Sequence, residues 1–178
     1  MPIPFDVADH IFRAEKRLLG PMRWKPVTSD SKGNDQHKKL ECRVRIDGGV
    51  PRGVFFRIRV FPRSLTRASF QLECDAPSGR SHIPLYRLEM EPIRPHQNKM
   101  YGTDDINGAK VAAGQTHEHV FYDSLKNDQS LRKNACEQAR ALNQVLPDYP
   151  TGLQFVCSRI NIINGADLPA PGDQGSLL

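Results

Sequence analysis

Three of the six histidines in this 178-residue chain fall within one stretch, residues 85–123. His117 and His119 stand two apart in the run Thr116-His117-Glu118-His119-Val120, so on a β-strand both imidazoles leave the same face. His96 lies across a long polar connection that carries Asn98, Gly102, Gly108 and Gly114. Connections of that length inside a domain are usually functional or disordered. Two chemistries fit these residues. Imidazoles titrating near neutrality supply a base and an acid for phosphodiester transesterification. In that scheme Arg87 or Lys110 stabilises the extra charge of the phosphorane, and Asn98 positions substrate or holds an imidazole tautomer. The nucleophile is a 2′-hydroxyl, which selects RNA. Alternatively, a His-x-His pair with a third histidine binds a metal ion and leaves a water position open. The carboxylate that often completes such a set does not follow the pair directly, and Asp123 is the nearest stand-in. In a third, purely structural reading, His117 and His119 are bonded to loop backbone at a sheet edge and His96 orders the loop.

A second group of residues carries charge. Residues 40–47 (LECRVRID) and 54–61 (VFFRIRVF) alternate apolar and polar across a glycine-rich turn, the pattern of a β-hairpin. Cys42, Val44, Ile46, Phe56, Ile58 and Val60 are expected to face a core. Arg43, Arg45, Arg57 and Arg59 then share the other face with Phe55 and Phe61, a plane of phosphate donors with rings on which bases can stack. The competing expectation is that these arginines pair across strands with Glu41, Asp47, Glu73 and Glu89.

The remaining elements follow from periodicity. Val7, Ile11, Ala14 and Leu18 predict a helix capped by Asp6 and ended by Gly20-Pro21. Short strands are expected at 22–27, 68–75, 83–90 and 116–122. Leu131, Ala135, Ala139 and Leu142 predict a helix running from Asp128 or Ser130 to Leu146, and Thr151 a second helix beyond Pro147. The expected fold is α+β: an antiparallel sheet of about five strands built on the 40–61 hairpin, with an N-terminal helix and one or two C-terminal helices on one face. Residues 1–166 form a single domain and residues 167–178 a flexible tail.

Charge is unevenly distributed. Residues 1–80 hold 16 Lys or Arg against 9 Asp or Glu, and residues 81–178 hold 9 against 11, giving the net +5. A basic half suggests an anionic partner, most often nucleic acid. Apolar runs are too short to span a bilayer, and no secretory leader is visible, so a cytoplasmic setting is expected. The four cysteines are far apart and read as free thiols.

Taken together, Arg87-Leu88-Glu89, His96-x-Asn98 and Gly114-x-Thr116-His117-x-His119, followed by Phe121-Tyr122, resemble a family of small bacterial proteins. Those proteins carry a domain of unknown function with an Arg-Leu-Asp, His-x-Asn and Gly-x-His-x-His pattern ahead of C-terminal helices. The resemblance covers about residues 85–142 and implies a bacterial or phage protein from a mobile or defence-related locus. Glu89 replaces the family's usual Asp, and the loop between Asn98 and Gly114 is longer. The sequence therefore points first to metal-independent, ribonuclease-like cleavage by His96, His117, His119, Asn98 and Arg87, with no cofactor and with RNA as partner. Behind that stand a non-enzymatic factor gripping nucleic acid or a nucleoprotein, such as a defence or anti-defence inhibitor, and a histidine-based metal hydrolase.

Overall fold

The computed structural model describes residues 3–28, 36–61, 64–76, 81–124, 130–131 and 135–172. In chain order the elements are β1 (Ile3–Pro4), α1 (Phe5–Arg13), β2 (Lys16–Leu19), β3 (Lys25–Thr28), β4 (Gln36–Ile46), β5 (Val54–Phe61), β6 (Ser64–Asp75) and β7 (His82–Glu89). They continue with β8 (His96–Gln97), β9 (Lys110–Val111), β10 (His117–Val120), β11 (Ser130–Leu131), β12 (Arg140–Ala141) and α2 (Tyr149–Arg159). Short 3-10 turns sit at Phe121–Ser124 and Gly165–Asp167. No helix among the described residues is long and apolar enough to cross a membrane.

β4 to β7 form an antiparallel meander. β10 and then β12 extend it on the β7 side, while β2 and β3 both pair with β4 at the other edge. The expected hairpin register is observed: Cys42 pairs with Phe56 and Leu40 with Ile58, and Cys42, Val44, Ile46, Phe56, Ile58 and Val60 are all buried. Phe70, Leu72, Tyr86 and Leu88 continue this apolar face, because alternate residues on neighbouring strands line one side of a sheet. α2 meets this side through Tyr149, stacked on Phe70 at 5.6 Å, and through Arg159, whose guanidinium holds Glu118 of β10 with two bonds of 3.0 Å. The helix lies so close that a β-carbon on Gly152 would collide with Met90. α1 adds Phe12, 6.3 Å from the Tyr86 ring.

The structure has more strands than the five expected, and three predicted segments differ. The N-terminal helix ends at Arg13 rather than Leu19, and Lys16 to Leu19 pair with β4 instead. The buried Lys16 ammonium donates to the carbonyls of Phe12, Ala14 and Ile160 at 2.8, 2.6 and 2.7 Å, which holds the chain in its reversal. Such long-range partners override a weak local helical pattern. The helix predicted up to Leu146 is not formed over its described part: β11 and β12 are strands, and residues 135–139 run as turn and extended chain. Backbone groups that a helix would satisfy internally are bonded elsewhere, Ala139 N–H to Asn98 Oδ1 at 2.7 Å and Leu142 N–H to the Thr116 carbonyl at 3.0 Å. Residues 125–129 and 132–134 of that prediction lie outside the described residues. α2 is capped by Asp148, which accepts the Thr151 N–H at 2.8 Å, rather than by Thr151 itself. Of the expected tail, residues 167–172 are docked: Leu168 is buried, and the Pro169 and Pro171 carbonyls accept from Trp24 and Lys38.

Candidate functional site

β10 pairs with β7 so that His117 lies opposite Glu89 and His119 opposite Arg87. Glu118 and Val120 point to the helix side, so both histidines leave the sheet on the face opposite α2, the face that carries the hairpin arginines. The connection from β7 to β10 folds back over this face. Its β8–β9 ribbon pairs His96 with Val111, and Gly114 N–H donates to the Pro92 carbonyl at 2.7 Å. Gly114 sits at φ 79° and Gly108 at φ 65°, conformations that glycine adopts without strain. The fold-back brings His96 to within 4.9 Å of the His119 ring and 5.7 Å of the His117 ring, and those two rings are 5.0 Å apart. One potential ligand nitrogen from each imidazole lies within 4.8 Å of the others.

The extended segment 137–139 is the third wall. The Glu137 carbonyl accepts from His96 Nε2 at 2.9 Å. His117 Nδ1 donates to the Gln115 carbonyl at 3.0 Å. A carbonyl can only accept, so His96 and His117 each direct an N–H at their carbonyl, and a neutral ring keeps a lone pair on its other nitrogen. Asn98 is buried in the same wall, donating to the carbonyls of Ile106 and Ala139 and accepting from Ala139 N–H. Its amide fastens the loop to segment 137–139, and its hydrogen bonds go to main chain rather than to the imidazole expected of it.

Burial sets the electrostatics. It holds His119 well below the ordinary histidine range, reinforced by Arg87, His117 and His96. Burial also lowers His117, against the Gln115 hydrogen bond and the Glu89 charge. Both are therefore neutral at pH 7. His117 Nε2 has no hydrogen-bond partner although the side chain is only 1% exposed, and the Glu89 carboxylate faces it at 3.6 Å. Arg87 reaches Glu89 with Nε at 3.1 Å and places Nη2 3.1 Å from His119 Nε2. Of the two cations proposed for the phosphorane, Arg87 is at the cluster and Lys110 is exposed on β9. Asp123 is not the site's carboxylate, since both its oxygens are held by Arg140 at 2.9 Å.

The arginine face divides. Arg57 is bound by Glu41 at 2.6 Å, by Glu73 and by His82 at 3.3 Å, and it lies 5.5 Å above the Phe55 ring. Arg57 and Phe55 thus belong to a closed cluster and are withdrawn from the nucleic-acid face expected of them. Arg43, Arg45 and Arg59 are exposed, and none of them makes a side-chain hydrogen bond or ion pair among the described residues. Arg45 stands directly opposite Arg17, and Arg59 opposite Lys39. Phe61 is half-buried with Arg67 stacked 3.7 Å above its ring. A cleft of about 490 Å³ runs from Arg59, Phe61 and Arg67 past Ser69 and Arg94 to Glu89 and His96.

Sequence reasoning missed Glu89, Arg67 and Arg94 as site residues. Glu89 was legible, because it shares a strand face with Arg87. Arg94 belongs to an irregular loop whose course no periodicity reveals. Comparison of the chain with known protein families, with curated proteins and with solved structures finds no match in any of the three.

Proposed function

We propose that this protein hydrolyses phosphodiester bonds of single-stranded nucleic acid in the cleft that ends at His96 and Glu89. The carrying observation is that cleft: three arginines and one aromatic ring line it together with Glu89 and His96, and His96 in turn packs against His117 and His119. Arg59, Arg67 and Arg94 would bind successive phosphates, Phe61 would offer a stacking surface, and the unpaired Arg43 and Arg45 would extend the track over the sheet. Like charges directly opposite on adjacent strands are destabilising, and an anionic ligand would offset the repulsion of Arg17 with Arg45. At the reacting end, water attacks phosphorus and Glu89 takes its proton. Arg87 balances the added charge of the five-coordinate phosphate, and the leaving oxygen takes the proton back from Glu89 as its bond to phosphorus breaks.

This reading keeps the phosphodiester of the sequence-based expectation and changes the work of the histidines. A metal-free acid–base pair needs one imidazolium, whereas burial keeps His117 and His119 neutral and two of the three protons are directed to main-chain carbonyls. The convergence of His96, His117 and Arg87 in one place favours an enzyme over a factor that only binds.

The test is incubation of the purified protein with end-labelled single strands of RNA and DNA, beside Glu89→Gln and the triple variant Arg59→Ser, Arg67→Ser, Arg94→Ser. Cleavage is expected from the wild type. Glu89→Gln should lower kcat by about 100-fold or more with little change in KM. The triple variant should raise KM and flatten its dependence on salt, because fewer counterions are released. A folded wild-type protein that binds single strands and cuts none would leave the binding factor as the reading.

A further inference from the structure

The three rings each bring a nitrogen within 4.8 Å of the others, and main-chain hydrogen bonds orient two of them. His96 donates from Nε2, so its free nitrogen is Nδ1; His117 donates from Nδ1, so its free nitrogen is Nε2. The His117 nitrogen is buried without a partner and faces the oxygen of Glu89, itself only an acceptor, at 3.6 Å. Two acceptors set against each other in a buried place repel unless a cation stands between them. A ring nitrogen fixed by a main-chain carbonyl, as in His96 and His117, is also how proteins orient histidine ligands, since the outer hydrogen bond fixes both tautomer and ring plane.

We propose that His96 Nδ1, His117 Nε2 and the free ring nitrogen of His119 bind one divalent metal ion of the zinc class, with Glu89 beside its open position. An all-imidazole set suits zinc and its first-row neighbours rather than magnesium or calcium, which prefer oxygen. A tetrahedral zinc ion held at about 2.1 Å needs nitrogens about 3.4 Å apart, so the rings close inward from their present spacing. His96 belongs to a two-residue ribbon on a loop and is only half-buried, which leaves it free to make that movement. Arg87 now meets the His119 ring. On ion binding it yields that lone pair and keeps its contact with Glu89, where it still faces the phosphate.

This inference rests on the three rings and stands apart from the proposed hydrolysis, so metal binding is read directly. Untagged protein is stripped with chelator and titrated with Zn²⁺ by calorimetry and with Co²⁺ by visible absorption, beside His96→Ala and Arg87→Met. Circular dichroism checks the fold of each. One ion per chain is expected, with the d–d bands of low-symmetry cobalt. His96→Ala should weaken binding at least about 100-fold, more than the loss of an outer hydrogen bond costs. Arg87→Met should tighten it, because a like charge leaves the site. A folded wild type that takes up no ion, or one that binds no better than folded His96→Ala, overturns the proposal and leaves His117 and Glu89 to share a proton. Metal binding without cleavage of any strand keeps this site and removes the hydrolysis. Cleavage by protein that binds no metal does the reverse.

Discussion

The same sheet face carries two clusters of histidine, carboxylate and arginine, and they are finished differently. Around Arg57, every charge has an opposite neighbour. Glu41 and Glu73 take the guanidinium, and His82 donates from Nδ1 to Asp75 at 2.7 Å. Against desolvation, which would raise it, the hydrogen bonds from Lys39 and Arg57 hold Glu41 down at about 2. A few residues away, around His117, one acceptor faces another at 3.6 Å, and of the arginines along the adjoining cleft Arg59 and Arg94 face solvent. One cluster is complete within the chain. The other is the one for which an anion along the cleft and a cation among the histidines are proposed above.

The contrast breaks most visibly if Arg57 is removed. Arg57→Met leaves the 1%-exposed Glu73 carboxylate without its cation, and losing one partner of a buried pair costs about 3–5 kcal/mol. Urea unfolding should show this loss, while the salt slope of strand binding stays as in the wild type. A change in the slope comparable to that of Arg59→Ser would place Arg57 back in the nucleic-acid track. Next in size is Glu89→Gln, expected to lower kcat by about 100-fold, or roughly 2.7 kcal/mol, with thermal stability close to wild type. If it instead melts the protein and spares turnover, Glu89 belongs to the structure alone.

Much of the closed half was legible in the sequence. Cys42, Val44 and Ile46 alternate with arginines across a glycine turn from Phe56, Ile58 and Val60, and alternation of that kind fixes both strand and face. The open half was legible only as types and spacing. His117 and His119 declared a shared face, but nothing local says that a loop will carry His96 back over them. The segment around Gln138 was actively misleading. Leu131, Ala135, Ala139 and Leu142 have helical spacing, yet Ala139 is buried beside a strand. A helix would have kept the carbonyls of residues 137 and 138 in its own ladder. As non-helical chain it turns the Glu137 carbonyl toward His96, so the error about secondary structure and the blindness to the site share one cause.

Smaller effects sharpen the comparison further. Arg59→Ser and Arg67→Ser should each weaken binding to single strands by about 1 kcal/mol and lower the salt slope by roughly one phosphate contact, with the melting temperature unchanged. Equal affinity in the double variant would remove the cleft from binding. Acidification should act on the open cluster in chelator-treated protein. His117 and His119 have folded values below their ordinary 6.5, so below that pH the unfolded chain binds more protons than the folded one. The stability they contribute is complete above about pH 6.5 and is lost as pH falls toward their depressed values. A urea midpoint that stays flat from about pH 7 to about pH 5 would show both rings taking up protons in the folded protein as they do in the unfolded chain.

The most direct measurement is the chemistry of the cut ends. An all-ribose and an all-deoxyribose strand of one sequence are incubated with the protein, and the termini of the products are identified by mass. Hydrolysis by water at the Glu89 end of the cleft predicts that both strands are cut and that no 2′,3′-cyclic phosphate forms. Cleavage of the ribose strand alone, with cyclic phosphate ends, would contradict it and return His96, His117 and His119 to metal-free transesterification.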